Sequence, residues 1–291
     1  MFRLTILVGS LMLLVGCQKD EGLNLGSING KVAYVDEWNI HKENIRGGAY
    51  KRITSNGDVH SWDWWCFCYL YSITYDFPIW SPDGSKLLFS EDNDYFVYQD
   101  GSRSLIPINN VKHISWSPDG NKLLLSKTDY ASPYLEIVEF DSWNSINRFE
   151  GTFAFPRWSP KDNLIAYFFD GLKVLDMNSG EVSHLVDTTY TIGIFYSRTV
   201  NNPIEWSPKG DRIAYVKEDN SLAIISISDR SEEILYPASD NELDILGWTP
   251  DDQYLLAKIE MNYVTVINTS TGETERITED IPFSDGDVYL Y

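Results

Sequence analysis

Few residues in this chain have the types and spacing that chemistry requires. The four histidines, His41, His60, His113 and His184, are scattered, and none stands in His-Glu-x-x-His spacing. The sequence has no Gly-x-Ser-x-Gly nucleophile elbow and no glycine-rich phosphate loop. Cys66 and Cys68 would point the same way on a strand, where a disulfide across one residue is strained. Two sulfurs alone do not close a zinc site, so these cysteines read as buried or partly buried thiols. No catalytic residue, metal site or cofactor is expected.

The side chains best suited to contact lie between His60 and Phe77. Trp62, Trp64, Trp65, Tyr69 and Tyr71 crowd one short stretch of it. On one continuous strand, Trp62, Trp64, Cys66 and Cys68 face one way, and Trp65, Phe67, Tyr69 and Tyr71 the other. One set can pack down while the other stays as a platform, because an indole or phenol ring stacks while its polar tip finds a partner. Sugar rings and protein side chains are both suitable guests. The same pattern also fits an extra buried strand.

Composition narrows the class of partner. Lys plus Arg number 23 against 43 Asp plus Glu, a formal charge of −20. A chain that acidic repels phosphate backbones, which argues against nucleic acid. Its 43% hydrophobic content across 291 residues supplies a core, and 14% aromatic residues favour strands over helices.

Repeats dictate the architecture. One phrase recurs five times: Trp80-Ser-Pro-Asp-Gly84, Trp116-Ser-Pro-Asp-Gly120, Trp158-Ser-Pro-Lys-Asp162, Trp206-Ser-Pro-Lys-Gly210 and Trp248-Thr-Pro-Asp-Asp252. Successive tryptophans are 36, 42, 48 and 42 residues apart, the period of a propeller blade. In each phrase Ser or Thr opens a tight turn, Pro presets φ at the second position, and Gly takes the left-handed fourth position. Asp162 and Asp252 replace that glycine in two copies, with a residue type that visits the conformation comparatively easily. Each tryptophan is expected to pack between neighbouring blades. After each turn comes an apolar run such as Lys86–Ser90 or Arg212–Val216, then a third strand and a more polar outer one. Gly30–Val35 matches a second strand and Tyr50–Thr54 an outer one, while Ile281–Gly286 resembles the missing inner piece. The expected fold is all-β: a single six-bladed β-propeller of four-stranded blades over residues 29–291. Pairing of N- and C-terminal strands closes it and removes an exposed sheet edge.

The repeat resembles the WD40-like (PD40) repeat of the TolB family, whose consensus reads Trp-Ser-Pro-Asp-Gly followed by an apolar strand. The small α/β domain that precedes the propeller in TolB itself has no counterpart in the sequence, so a TolB role in the Tol–Pal complex is not implied. Some related propeller lyases hold a metal with several inner-strand histidines. Only His113 falls on such a strand, so that constellation is absent and each histidine reads as surface or packing. The chain ends with its last blade, which leaves no place for the hydrolase domain of certain propeller peptidases.

The N-terminus directs location. Arg3 followed by the apolar run Leu4–Gly16 has the proportions of a signal peptide and is too short to span a bilayer. Leu14-Val15-Gly16-Cys17 resembles the lipobox of bacterial lipoproteins, which implies removal of residues 1–16 and acylation of Cys17. Gln18-Lys19-Asp20-Glu21 resembles the export signal of certain surface lipoproteins, and residues 17–28 form a tether. The implied protein is anchored by lipid to the outer membrane, surface-exposed or facing the periplasm. Its expected function is binding of a glycan, peptide or protein partner; complex assembly and a polysaccharide lyase are the alternatives. Acidic tips on the second-to-third-strand hairpins, Glu91 and Asp219 among them, either attract a cation or basic partner or are simply solvated.

Overall fold

The computed structural model describes residues 28–36, 39–45, 49–55, 62–63, 68–69, 75–92, 94–129, 132–161, 163–187, 202–240, 243–259, 264–276 and 286–290. Among them there is no helix, and six antiparallel sheets of four strands each account for the architecture. Each sheet is one blade, its strands following one another from the axis outward. Blade 2, for example, comprises Tyr75–Trp80, Leu87–Glu91, Asp94–Gln99 and Ser102–Ile106. The expected all-β six-bladed propeller is the observed fold.

Blade 1 is built from both ends of the chain. Gly286–Leu290 supplies its inner strand and pairs antiparallel with Gly30–Asp36, setting Val288 opposite Val32 and Leu290 opposite Gly30. Asn39–Asn44 and Lys51–Arg52 complete it. The closing strand begins where the sequence expectation ended, since Ile281–Gly286 overlaps it at Gly286 alone. Residues 281–285 lie outside the described residues.

Six apolar clusters occupy the six seams between blades. Val32 and Tyr34 of blade 1 pack on Leu256 and Val266 of blade 6, and Ala33 and Val35 pack on Leu87 and Phe89 of blade 2. The second strands alternate in this way because both of their faces meet a neighbouring blade. That is why they read as continuous apolar runs, and each fully buried Leu or Ile contributes about 1.5–3 kcal/mol. The tryptophans take part: Trp206 packs with Ala166 and Phe168 of blade 4, and Trp248 with Ala214 and Leu222 of blade 5.

The repeated turn is held as its residue types require. Ser81 O accepts from Gly84 N at 2.8 Å, and Ser81 Oγ accepts from Lys86 N while donating to Asp83. That last bond, with others from Ser85, holds the Asp83 carboxyl down at about 2. Ser117 and Thr249 repeat the arrangement. Where Lys209 takes the third position, Ser207 Oγ donates to Asp211 instead. Gly84, Gly120 and Gly210 have φ of 63–70°, and Asp252 adopts 69° in the same place. Asp162 lies outside the described residues.

Candidate functional site: an axial pocket at the turn face

The residue preceding each repeated tryptophan faces the propeller axis. These residues are Ile79, Ser115, Arg157, Glu205 and Gly247, and they line one pocket of about 300 Å³ together with the five tryptophans, Asn202 and the turn residues Ser81, Pro82 and Pro208. In four blades the inner strand carries a register shift just before this position, between Asp76 and Ile79, Val111 and His113, Ala154 and Arg157, and Ile245 and Gly247. An extra residue there re-aims the side chains that follow. The repeat thus keeps tryptophan constant for packing and leaves its predecessor free to set the chemistry of the channel.

One wall of the pocket is polar and interconnected. Arg157 Nη2 donates to Asn202 Oδ1 at 2.7 Å, and Arg157 Nε lies 3.4 Å from Glu205 Oε2. Asn202 Nδ2 donates to Ile245 O, and its backbone N–H to Asp244, which faces Lys258 at 3.7 Å. Burial pushes the Glu205 carboxyl up, against the opposing pull of Arg157. The facing wall belongs to blades 2 and 3, with Ile79, Trp80, Ser115 and Trp116.

A hydrogen-bond chain runs around part of the ring. Trp206 Nε1 donates to Arg157 O at 3.0 Å, and Trp248 Nε1 to Glu205 O at 3.4 Å. Each tryptophan thereby grips the residue before the preceding tryptophan, one blade back. Trp116 breaks the pattern: its Nε1 and the Oγ of Ser115 are buried with no hydrogen-bond partner.

The other singled-out residues fall as follows. His113 lies outside the pocket lining, its ring 4.2 Å from that of Phe155, and burial, aided by Arg157 and Lys112, holds it down at about 3. His41 is buried, bonded to Tyr50 and stacked between Tyr34 and Tyr50. Of the acidic tips, Glu91 meets Arg103 at 2.6 Å and Asp219 accepts from Ser221. Among the described residues no three His, Cys, Asp or Glu side chains group as a metal site. Trp62–Asp63 and Cys68–Tyr69 pair antiparallel as a two-stranded sheet, with Trp62 opposite Tyr69 and Asp63 opposite Cys68. Cys17, Trp64, Trp65, Cys66 and Tyr71 lie outside the described residues, as does His60.

Comparison with solved structures places this ring among known propellers. The structure of TolB from Acinetobacter baumannii superposes with a TM-score of 0.64 at 19% identity, over 89% of this chain and 65% of that one. The fold is TolB-like. A second structure, assigned to TolB from Agrobacterium tumefaciens, matches with a TM-score of 0.57 at 13% identity, over 91% of this chain and 98% of that one. No protein-family model and no curated protein sequence matches the chain. At these identities the likeness concerns the TolB-like fold, and the pocket has to be read from its own residues. Sequence reasoning passed over Ser115, Arg157, Asn202 and Glu205. A usable signal was present, since the position before an unchanging tryptophan changes from Ile to Ser, Arg, Glu and Gly.

Proposed function

We propose that this TolB-like propeller is a non-enzymatic binding module of the bacterial cell envelope, whose axial pocket receives a polar group of a protein or glycan partner. The observation that carries the reading is the polar wall of that pocket, where Arg157, Asn202 and Glu205 form one network opposite Ser115 and Trp116. A ligand group that hydrogen-bonds to a charged member of this network gains about 1.5–3 kcal/mol. At about 300 Å³ the pocket lies at the lower end of the range for small-ligand sites, which suits a single small group.

Capture of envelope proteins and glycans on the full chain, followed by affinity measurement, tests this. Ser115→Ala and Arg157→Met are expected to weaken binding tenfold or more while the melting temperature holds within a few degrees. Unaltered affinity in both variants removes the pocket from the reading.

The same proposal includes the anchor. Lipid on Cys17 holds the propeller to the outer membrane, with residues 18–28 as its tether. Cys17→Ser should leave the protein unprocessed or free of the membrane fraction. Protease added to whole cells digests a surface-displayed protein and spares one that faces the periplasm.

A second contact surface is favoured by the two-stranded sheet of Trp62–Asp63 and Cys68–Tyr69, which opposes Trp62 to Tyr69 outside the six blades. Trp62, Trp64, Trp65, Tyr69 and Tyr71 form its aromatic platform. Trp64→Ala or Trp65→Ala should lower partner affinity at constant melting temperature; a lower melting temperature with full binding assigns the segment to the core instead.

A further inference from the structure

The seam between blades 1 and 2 is basic and aromatic where the four seams from blade 2 to blade 6 are aliphatic. Lys31-Val-Ala-Tyr-Val35 of blade 1 matches Arg212-Ile-Ala-Tyr-Val216 of blade 5, which fixes the correspondence between blades. On that alignment the third-strand residue paired with Ala33 is Lys42. The equivalent residues of the other blades are Val97, Ile137, Val174, Ile224 and Val266, all buried and apolar. Facing it across the seam, Tyr98 stands where Val138, Leu175, Ile225 and Ile267 stand in blades 3 to 6 and Glu43 stands in blade 1. An aliphatic contact has been exchanged for an ammonium against a phenol ring.

Two further lysines share this face. Lys31 precedes Ala33 by two on the second strand, and Lys51 pairs in register with Lys42 on the outer strand. All three therefore point toward blade 2. Lys31 Nζ lies 5.7 Å from the Trp80 ring centroid, and Lys42 Nζ lies 5.8 Å from that of Trp80 and 5.4 Å from that of Tyr98. Lys51 Nζ is 5.3 Å from the Tyr98 ring and donates to its hydroxyl at 2.6 Å.

A single cation over the next blade's aromatic is ordinary in this ring, as Lys122 over Trp158 and Arg212 over Trp248 show. Three at one seam are not. Among the described residues no carboxylate pairs with Lys42 or Lys51, although acids outnumber bases by 43 to 23 in the chain. Burial, Lys51 and Lys31 all push the Lys42 ammonium down, and only Tyr98 opposes them. Ring quadrupoles offset part of that repulsion, but a bound anion offsets it directly.

We propose that Lys31, Lys42 and Lys51 form an oxyanion-binding site at the blade 1–2 seam, suited to a phosphate group. Three ammonium groups supply donors on one side, and the half-buried position of Lys42 strengthens its attraction for an anion relative to open solvent. The site shares Trp80 with the axial pocket, but none of its three lysines lines that pocket, and its test does not depend on the pocket.

Inorganic phosphate is the probe. It is titrated against the full chain by calorimetry and thermal melting, in chloride buffer of matched ionic strength. A saturable heat and a rise in melting temperature are expected. Lys42→Met restores the apolar character that this position has in the other five blades, so it should fold at least as stably as the parent in phosphate-free buffer and lose phosphate affinity tenfold or more. Lys51→Gln, at an exposed position, should also weaken binding and serves if the first variant does not fold. Vesicles of phosphatidylcholine with phosphatidic acid distinguish the source of the group. Vesicle binding competed by free phosphate assigns a lipid headgroup, and binding of free phosphate alone assigns a soluble ligand. Absence of any saturable phosphate response, or a response unchanged in both variants, overturns the proposal.

Discussion

Arg212 Nη2 lies 2.8 Å from Asp252 Oδ2, joining blades 5 and 6 through the one turn in which an acid has the observed left-handed place of glycine. Lys209 approaches the same oxygen at 3.1 Å, while Oδ1 is buried without a hydrogen bond. At the equivalent Gly210 an added Cβ would meet Ser159 Oγ of the preceding blade at 3.2 Å. The fourth turn position thus nests against the turn one blade back, and in blade 6 that contact has become an ion pair.

Removing the arginine of this pair should cost more than removing the acid. Arg212→Met leaves the Asp252 carboxylate, only 3% exposed, short of its closest charge and should destabilise by roughly 2 kcal/mol, with Lys209 and solvent limiting the loss. Asp252→Gly gives up the pair but also the positive-φ strain and the unsatisfied oxygen, so its cost should be about 1 kcal/mol or less. Urea unfolding of the two variants orders them.

Trp206 and Trp116 should respond differently to phenylalanine. Both substitutions lose ring volume, but Trp206→Phe also deprives Arg157 O of its donor, whereas Trp116→Phe removes a buried N–H that has no partner. The difference in unfolding free energy should be about 1–2 kcal/mol, with Trp206→Phe the worse. Equal losses would show that the indole N–H does not hold the ring of blades.

Acid should weaken the fold through His113. Its folded pKa of about 3 lies below the ordinary imidazole value of 6.5, so between these values the unfolded chain binds more protons and stability falls as pH falls. The contribution is complete above 6.5 and lost on descent to about 3. His113→Gln should flatten this limb of a stability–pH profile measured by thermal melting. Asp83, held at about 2, adds a later loss below the ordinary carboxylate value of 3.8 that the substitution leaves in place.

Truncation before Gly286 removes the inner strand of blade 1 and exposes the ladder edge of Gly30–Asp36. Loss of five paired positions and the adjoining seam contacts should lower the melting temperature by about 10 °C or more. Calorimetry of the truncated chain checks this, and an unchanged melting temperature would contradict closure by the C-terminal strand.

Blade number and strand order were legible in the sequence because they rest on local physics. Turn chemistry of Trp-Ser-Pro-Asp-Gly, apolar runs buried on two faces, and complementary fragments at the two ends all lie within a few residues of one another or repeat at a fixed period. Side-chain direction at the axis was not legible, since it depends on register shifts in the inner strands that composition does not reveal. Arg157 and Asn202 are 45 residues apart, Arg212 and Asp252 are 40, and Lys51 and Tyr98 are 47. Only the packing of neighbouring blades brings each pair within hydrogen-bond reach. A repeat announces which positions are alike, whereas a site is made from positions that differ, and the tertiary structure alone determines which of those differences meet.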